Sequence, residues 1–314
     1  MKRNHSIDTF RGLAIIGMVF FTVTRRLSNN LPNILRHNEW ASIHLGDFIL
    51  PMFIFASGLS LAYFLDKKKE QPSKKTIRDV FERFLKLAIV GISFSIFSAY
   101  GFLEMDEVML SAILFLACVG ISKIDWRIIP AIIFIICFSY FALIHCNLDT
   151  IFIGHYLGGF PAALYYFPIM LVGLYIGKGI LSDGLWCIRN QILIFVIFIF
   201  FIFFSIFIPF NKMTATPPFI LLSIMLSFAI FSTIDFILNS DIFFRRLEYI
   251  GKKPLRYWLM MYLFFLIPLW FYIKLLNISS TLDIQWYFSI LISLILIIIL
   301  WRLSYLIDYV NISK

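Results

Sequence analysis

Residues 192–210 read ILIFVIFIFFIFFSIFIPF. No polar residue except Ser205 interrupts them, and the apolar side chains show no period of two. A strand of a membrane barrel alternates apolar and polar positions, whereas this segment is apolar all round. At about 1.5 Å per residue it is long enough, as a helix, to cross a hydrocarbon core of about 30 Å. Within lipid only helices and closed barrels satisfy their own backbone groups, so the segment reads as a membrane helix.

Similar runs recur along the chain. Apolar residues make up 61% of the 314 and aromatics 18%, well beyond what a soluble domain carries. Ten spans are expected, at about 11–24, 47–65, 84–102, 107–122, 128–145, 164–181, 191–210, 217–239, 255–276 and 286–307. The expected fold class is therefore all-α: a polytopic membrane protein with a single transmembrane domain over 1–314. The first segment follows Met1-Lys2-Arg3 but lacks a small-residue cleavage site, and is expected to be retained as a span.

Lysine and arginine fix the expected orientation. With the N-terminus inside, 22 of them fall on the inner side and five (Arg25, Arg26, Arg36, Lys212 and Lys274) on the outer. By the positive-inside rule both termini are cytoplasmic. A multi-pass protein of the plasma membrane is the expected setting. The bias also accounts for the formal net charge of +9, so nucleic acid is not required as a partner; anionic lipid suffices. The basic stretch 66–83 reads as a loop with a short amphipathic helix. Cys118, Cys137, Cys146 and Cys187 give no disulfide framework.

Chemistry gathers in the first sixty residues. Ser6-Ile7-Asp8-Thr9-Phe10-Arg11-Gly12 opens the first span, and His37-Asn38-Glu39-Trp40 lies in the loop after it. Gly46-Asp47-Phe48-Ile49-Leu50-Pro51 heads the second span. Ionisable residues at a membrane boundary are costly and mark functional sites. His37 falls on the outer side. Its imidazole can take a proton from an amine or hydroxyl attacking a thioester, or carry an acyl group itself. It can equally be a loop histidine bonded to backbone, and His44 competes for the catalytic role; spacing does not choose.

Asp47 either caps the second helix or orients a histidine. Asp8 and Arg11, at i, i+3, form a local ion pair or leave the guanidinium to grip phosphate. Lys178 ends a span containing Gly173 and Gly177, small residues that let helices approach. Gly251-Lys252-Lys253-Pro254-Leu255-Arg256 opens the ninth span, with free N–H groups and cations facing any anion there. His5, His145 and His155 lack metal-ligand spacing, and no metal is expected.

These residues, in this order, resemble the catalytic membrane domain of heparan-α-glucosaminide N-acetyltransferase and its prokaryotic relatives. The S-x-D-x-x-R-G motif matches Ser6, Asp8, Arg11 and Gly12, with Met18 in the apolar run behind it. H-x-x-W and the following D-x-x-x-P-x-F-x-F-x-x-G match His37, Trp40, Asp47, Pro51, Phe53, Phe55 and Gly58. Weaker echoes lie at 171–178 and 251–255.

The resemblance implies transfer of an acetyl group from cytoplasmic acetyl-CoA to an amino or hydroxyl group of an extracytoplasmic or lipid-linked sugar. It makes His37 and Asp47 the catalytic pair, and makes Arg11, Asp8, Lys178, Lys252 and Arg256 the residues at the CoA phosphates. The chain departs from the family pattern at Thr22, where asparagine is common, and at Arg25 and Arg26, which suit an acidic glycan or a lipid-linked phosphate. The competing readings are a transporter or flippase for an amphipathic glycolipid and a non-catalytic relative. Aromatic lipid-facing spans permit a homodimer.

Overall fold

Apolar stretches in a membrane fold as helices because each N–H then finds a carbonyl four residues back, without water. The computed structural model bears this out. It describes residues 4–35, 44–69, 71–97, 107–146, 159–212, 214–237, 242–276, 282 and 284–312, and among them there is no strand. The helices are α1 His5–Leu27, α2 Ile49–Lys67, α3 Ser73–Phe97, α4 Glu107–Gly120, α5 Ile129–His145, α6 Gly159–Asp183, α7 Ile188–Phe207, α8 Pro217–Ile237, α9 Ile242–Gly251, α10 Pro254–Met261, α11 Ile267–Leu276 and α12 Trp286–Ile312. A π-helical turn, Tyr262–Leu266, joins α10 to α11, so Pro254–Leu275 runs as one apolar rod.

Among the described residues, eight helices are long and apolar enough to cross a membrane. The chain is an all-α polytopic membrane protein. The expected spans 84–102 and 107–122 are the two outside that set. α3 spends its first half on Lys74, Lys75, Arg78, Asp79, Glu82, Arg83 and Lys86. α4 has 14 residues, about 21 Å of helix and short of a hydrocarbon core. Residues 98–106 lie outside the described residues.

One further expectation is corrected. The 66–83 stretch does not hold a separate short helix: α2 runs to Lys67 and α3 is continuous from Ser73. The first helix starts at His5, ahead of the expected span 11–24, because the Asn4 side chain accepts from Ser6 N (2.9 Å) and Ile7 N (3.2 Å) and caps it. Asp8 and Arg11 therefore sit inside the first two turns.

The chain divides into two compact units. One is drawn from residues 50–233. Its centre is α6, whose candidate span is 78% buried against 22% for α7. Gly58 of α2 and Gly173 of α6 meet: a Cβ on Gly58 would strike the Met170 carbonyl and lie 2.9 Å from Leu174 N. Gly177 packs on Ala62, whose Cβ would lie 2.7 Å from a Cβ added there. Glycine thus lets α2 and α6 touch backbone to backbone. α3 packs on α4, and α4 and α5 on α6. α7 turns Phe195 and Ile206 outward, as a lipid-facing helix does.

The other unit is drawn from residues 4–35, 44–49 and 234–312, and is organised around α1. α1 lies against α9 and α12. Thr24 and Ser293 share a 2.7 Å hydrogen bond between these helices, and Ile284 N donates to Leu27 O at 2.8 Å beyond the end of α1. α9 is short and amphipathic and lies between the expected spans 217–239 and 255–276.

Candidate functional site

Asp47 sits in a 3-10 turn, Leu45–Phe48, that leads into α2. It is buried, and its Oδ2 accepts the backbone N–H of His44 at 2.9 Å while its own N–H donates to His44 O at 3.0 Å. The carboxylate and the chain at His44 are thereby locked together by reciprocal bonds. Pro51 follows within the first turn of α2, where a missing N–H costs nothing. A buried carboxylate beside a histidine backbone is a firm post from which to orient an imidazole. His37 and Trp40 lie outside the described residues.

The other half of the signature is fully placed. Ser6 Oγ donates to Asp235 Oδ1. Arg11 Nη2 pairs with Asp8 Oδ1 at 2.6 Å, with both side chains largely buried. Arg11 Nε donates to the main-chain carbonyl of Gly251, the last residue of α9. Gly12 and Gly251 make the contact close: a Cβ on Gly12 would meet the Leu247 carbonyl, and one on Gly251 the Asp8 carbonyl. Every residue of S-x-D-x-x-R-G thus holds α1 against α9 or the end of α8.

The cations expected at the donor fall into separate clusters. Lys252 pairs with Glu248, which also accepts from His5 Nδ1 at 2.8 Å. Burial opposes ionisation of Glu248, but the hydrogen bonds from Lys252 and His5 outweigh it and hold its carboxyl below the usual range. Arg256 pairs with Asp308 at 2.6 Å, and Lys253 reaches the same carboxylate. Tyr249 donates to Asp308 and, at 3.0 Å, to Ser304 O.

Asp8, Arg11, Lys252 and Arg256 therefore belong to the unit built on α1. Lys178 belongs to the other unit, where its ammonium donates to Ser122 O and lies 4.3 Å from the ring centroid of Tyr175.

Charge within these clusters is uneven. Arg11 is matched by Asp8, and Lys252 by Glu248, whereas Lys253 and Arg256 share the single carboxylate of Asp308. The last cluster keeps a surplus positive charge, so it is the better electrostatic partner for a phosphate. Lys253 stands among the cations of the 251–256 motif, whereas Glu248, Tyr249, Asp235 and Asp308 carry no signal of their own in the motifs. Glu248 lies at i, i+4 from Lys252 and could have been picked out by that spacing; Asp308 and Asp235 lie 52 to 229 residues from Arg256, Lys253 and Ser6, with no local signal.

Residues 3–183 match the family described as heparan-alpha-glucosaminide N-acetyltransferase, catalytic. No curated protein matches the chain. The family match covers more than half of the 314 residues and takes in Asp8, Arg11, Asp47 and Lys178. The chain belongs to the heparan-alpha-glucosaminide N-acetyltransferase catalytic family, a family of transmembrane acetyltransferases.

Proposed function

We propose that the protein transfers an acetyl group from cytoplasmic acetyl-CoA to an amino or hydroxyl group of an extracytoplasmic or lipid-linked sugar. The observation that carries this reading is the family match over residues 3–183, which spans both the Asp8–Arg11 motif and the His37–Asp47 segment. His37 acts as the base. The acceptor's N–H or O–H oxygen or nitrogen adds to the thioester carbonyl as the imidazole removes its proton. The tetrahedral intermediate then expels CoA as its thiol, with the proton returned to sulfur, and the C–S bond is exchanged for C–N or C–O. The locked turn at Asp47 supports a role in holding a histidine in the required tautomer.

At the donor end, Arg256, Lys252 and Arg11 serve the CoA phosphates, with Lys253 added on the strength of its shared carboxylate. Only the acyl group need change sides of the membrane. The plasma membrane is the proposed location.

Detergent-purified protein incubated with radiolabelled acetyl-CoA and a panel of amino sugars, glycolipids and lipid-linked saccharides tests the proposal. Acceptor-dependent CoA release is expected, abolished in His37→Ala at unchanged protein yield. Full turnover in that variant would sink the assignment of His37, and no CoA release with any acceptor would sink the reaction.

A further inference from the structure

Two arginines converge on one indole. The guanidinium carbon of Arg246, on α9, lies 5.2 Å from a Trp301 ring centroid, and that of Arg302, on α12, lies 4.9 Å from it. Both arginines are exposed, and neither has a carboxylate partner among the described residues. The nearby acids are taken: Glu248 by His5 and Lys252, Asp308 by Lys253 and Arg256. A ring quadrupole attracts cations but does not cancel their charge. Two like charges held at one ring therefore leave a site that an anion completes, and guanidinium forks match phosphate oxygens.

The surroundings identify which phosphate. Ile298 and Leu294 stand three and seven residues before Trp301, on the same face of α12 and toward the membrane core, and are 58% and 48% exposed. Leu291, three residues further back, is 53% exposed. A soluble anion has no use for that apolar stripe, whereas a lipid's acyl chains do. Tryptophan and arginine at the end of a membrane span are also the residues that seat at the headgroup level. We propose that Arg246, Trp301 and Arg302 bind the headgroup phosphate of an anionic phospholipid whose chains lie along Ile298, Leu294 and Leu291. This site is independent of the acetyltransfer reading.

The test is native mass spectrometry of the full chain in detergent, titrated separately with dioleoyl phosphatidylglycerol and dioleoyl phosphatidylcholine. The wild type should retain phosphatidylglycerol in preference to phosphatidylcholine. Arg246→Gln/Arg302→Gln should weaken the tightest phosphatidylglycerol adduct on the order of thirtyfold, the loss for two cations near an anionic surface. Trp301→Leu, which keeps both charges, should weaken it less and leave phosphatidylcholine unaffected. Millimolar acetyl-CoA or inorganic phosphate should not displace the lipid. Equal retention of the two lipids, or wild-type affinity in the double variant, overturns the proposal. Displacement by acetyl-CoA or phosphate does so too, by assigning the cations to a soluble ligand. Should the double variant fail to fold, unchanged phosphatidylglycerol binding in Trp301→Leu overturns it alone.

Discussion

The Nε of Arg11, in the second turn of α1, donates to the carbonyl oxygen of Gly251 at the C-terminus of α9. The last carbonyls of a helix have no partner within it and carry partial negative charge, so a guanidinium is a fitting cap. The same arginine is held by Asp8, and the absence of side chains at Gly12 and Gly251 brings the two backbones into contact. The motif that the sequence marks as functional is thus also a helix joint. Substitutions in it have to be judged for folding before they are judged for chemistry.

A double-variant cycle separates the pair from its setting. Asp8→Ala leaves a largely buried guanidinium short of its counter-charge, and is expected to cost about 3 kcal/mol. Arg11→Met likewise takes a cation from Asp8 and also uncaps Gly251. The double variant should be destabilised by less than the sum of the two, with a coupling of at least about 1 kcal/mol. Thermal unfolding of the four proteins in one detergent measures it. Additive losses would show that the two side chains do not depend on each other.

Glycine positions give a contrast within one molecule. Gly58→Ala places a methyl group against the Met170 carbonyl, and Gly251→Ala does so against that of Asp8. Each is expected to lower stability by about 1–3 kcal/mol, the usual penalty of overpacking. Gly120→Ala, at the end of α4, meets nothing within 4 Å. There the loss of unfolded-chain freedom should win, raising stability by about 0.5 kcal/mol. Melting temperatures that fail to separate Gly120→Ala from the other two would contradict the packing described.

Glu248 predicts a pH dependence. Its carboxyl is held below the ordinary range in the folded protein, by the Lys252 and His5 hydrogen bonds acting against burial. A depressed native value stabilises the fold above the unfolded pKa, about 4.3 for glutamate, and that stability is lost as pH falls through the native value. The melting temperature of the wild type should therefore drop between about pH 5 and pH 3 more steeply than that of Glu248→Gln. At pH 7 the variant should be the less stable of the two, and the gap should close in acid. Parallel melting curves would mean that Glu248 contributes no linkage.

The legible parts of the sequence were those governed by local physics. α7, expected at 191–210, runs Ile188–Phe207, because an all-apolar run has one way to satisfy its backbone in lipid. α3 was harder. Its charged first half, Lys74 to Lys86, masks a helix that continues unbroken into the apolar half, so hydropathy alone split it. α9 was hidden because Arg245, Arg246 and Glu248, three charges among ten residues, look like a loop to any average over the window.

At the site, the Asp8–Arg11 pair was visible from its i, i+3 spacing. The bonds from Ser6 to Asp235 and from Arg256 to Asp308 join residues 229 and 52 apart and carry no local signal. His37 and Trp40 rest on the motif alone.

Asp47 allows structure and chemistry to be told apart with one residue. Its carboxylate accepts the His44 N–H, an acceptor that asparagine retains in its Oδ1 and alanine loses. Asp47→Ala should therefore cost about 1 kcal/mol of stability, as lost caps do, while Asp47→Asn should melt close to the wild type. Turnover is the second readout. Where the negative charge orients and stabilises a catalytic imidazole, Asp47→Asn should lower kcat by about a hundredfold despite an intact turn. A purely structural Asp47 predicts the opposite order, with Asn fully active and Ala impaired only as far as it is unstable. Measuring kcat and melting temperature on the same two preparations decides between them, because no effect on folding alone lowers the activity of Asn while sparing its stability.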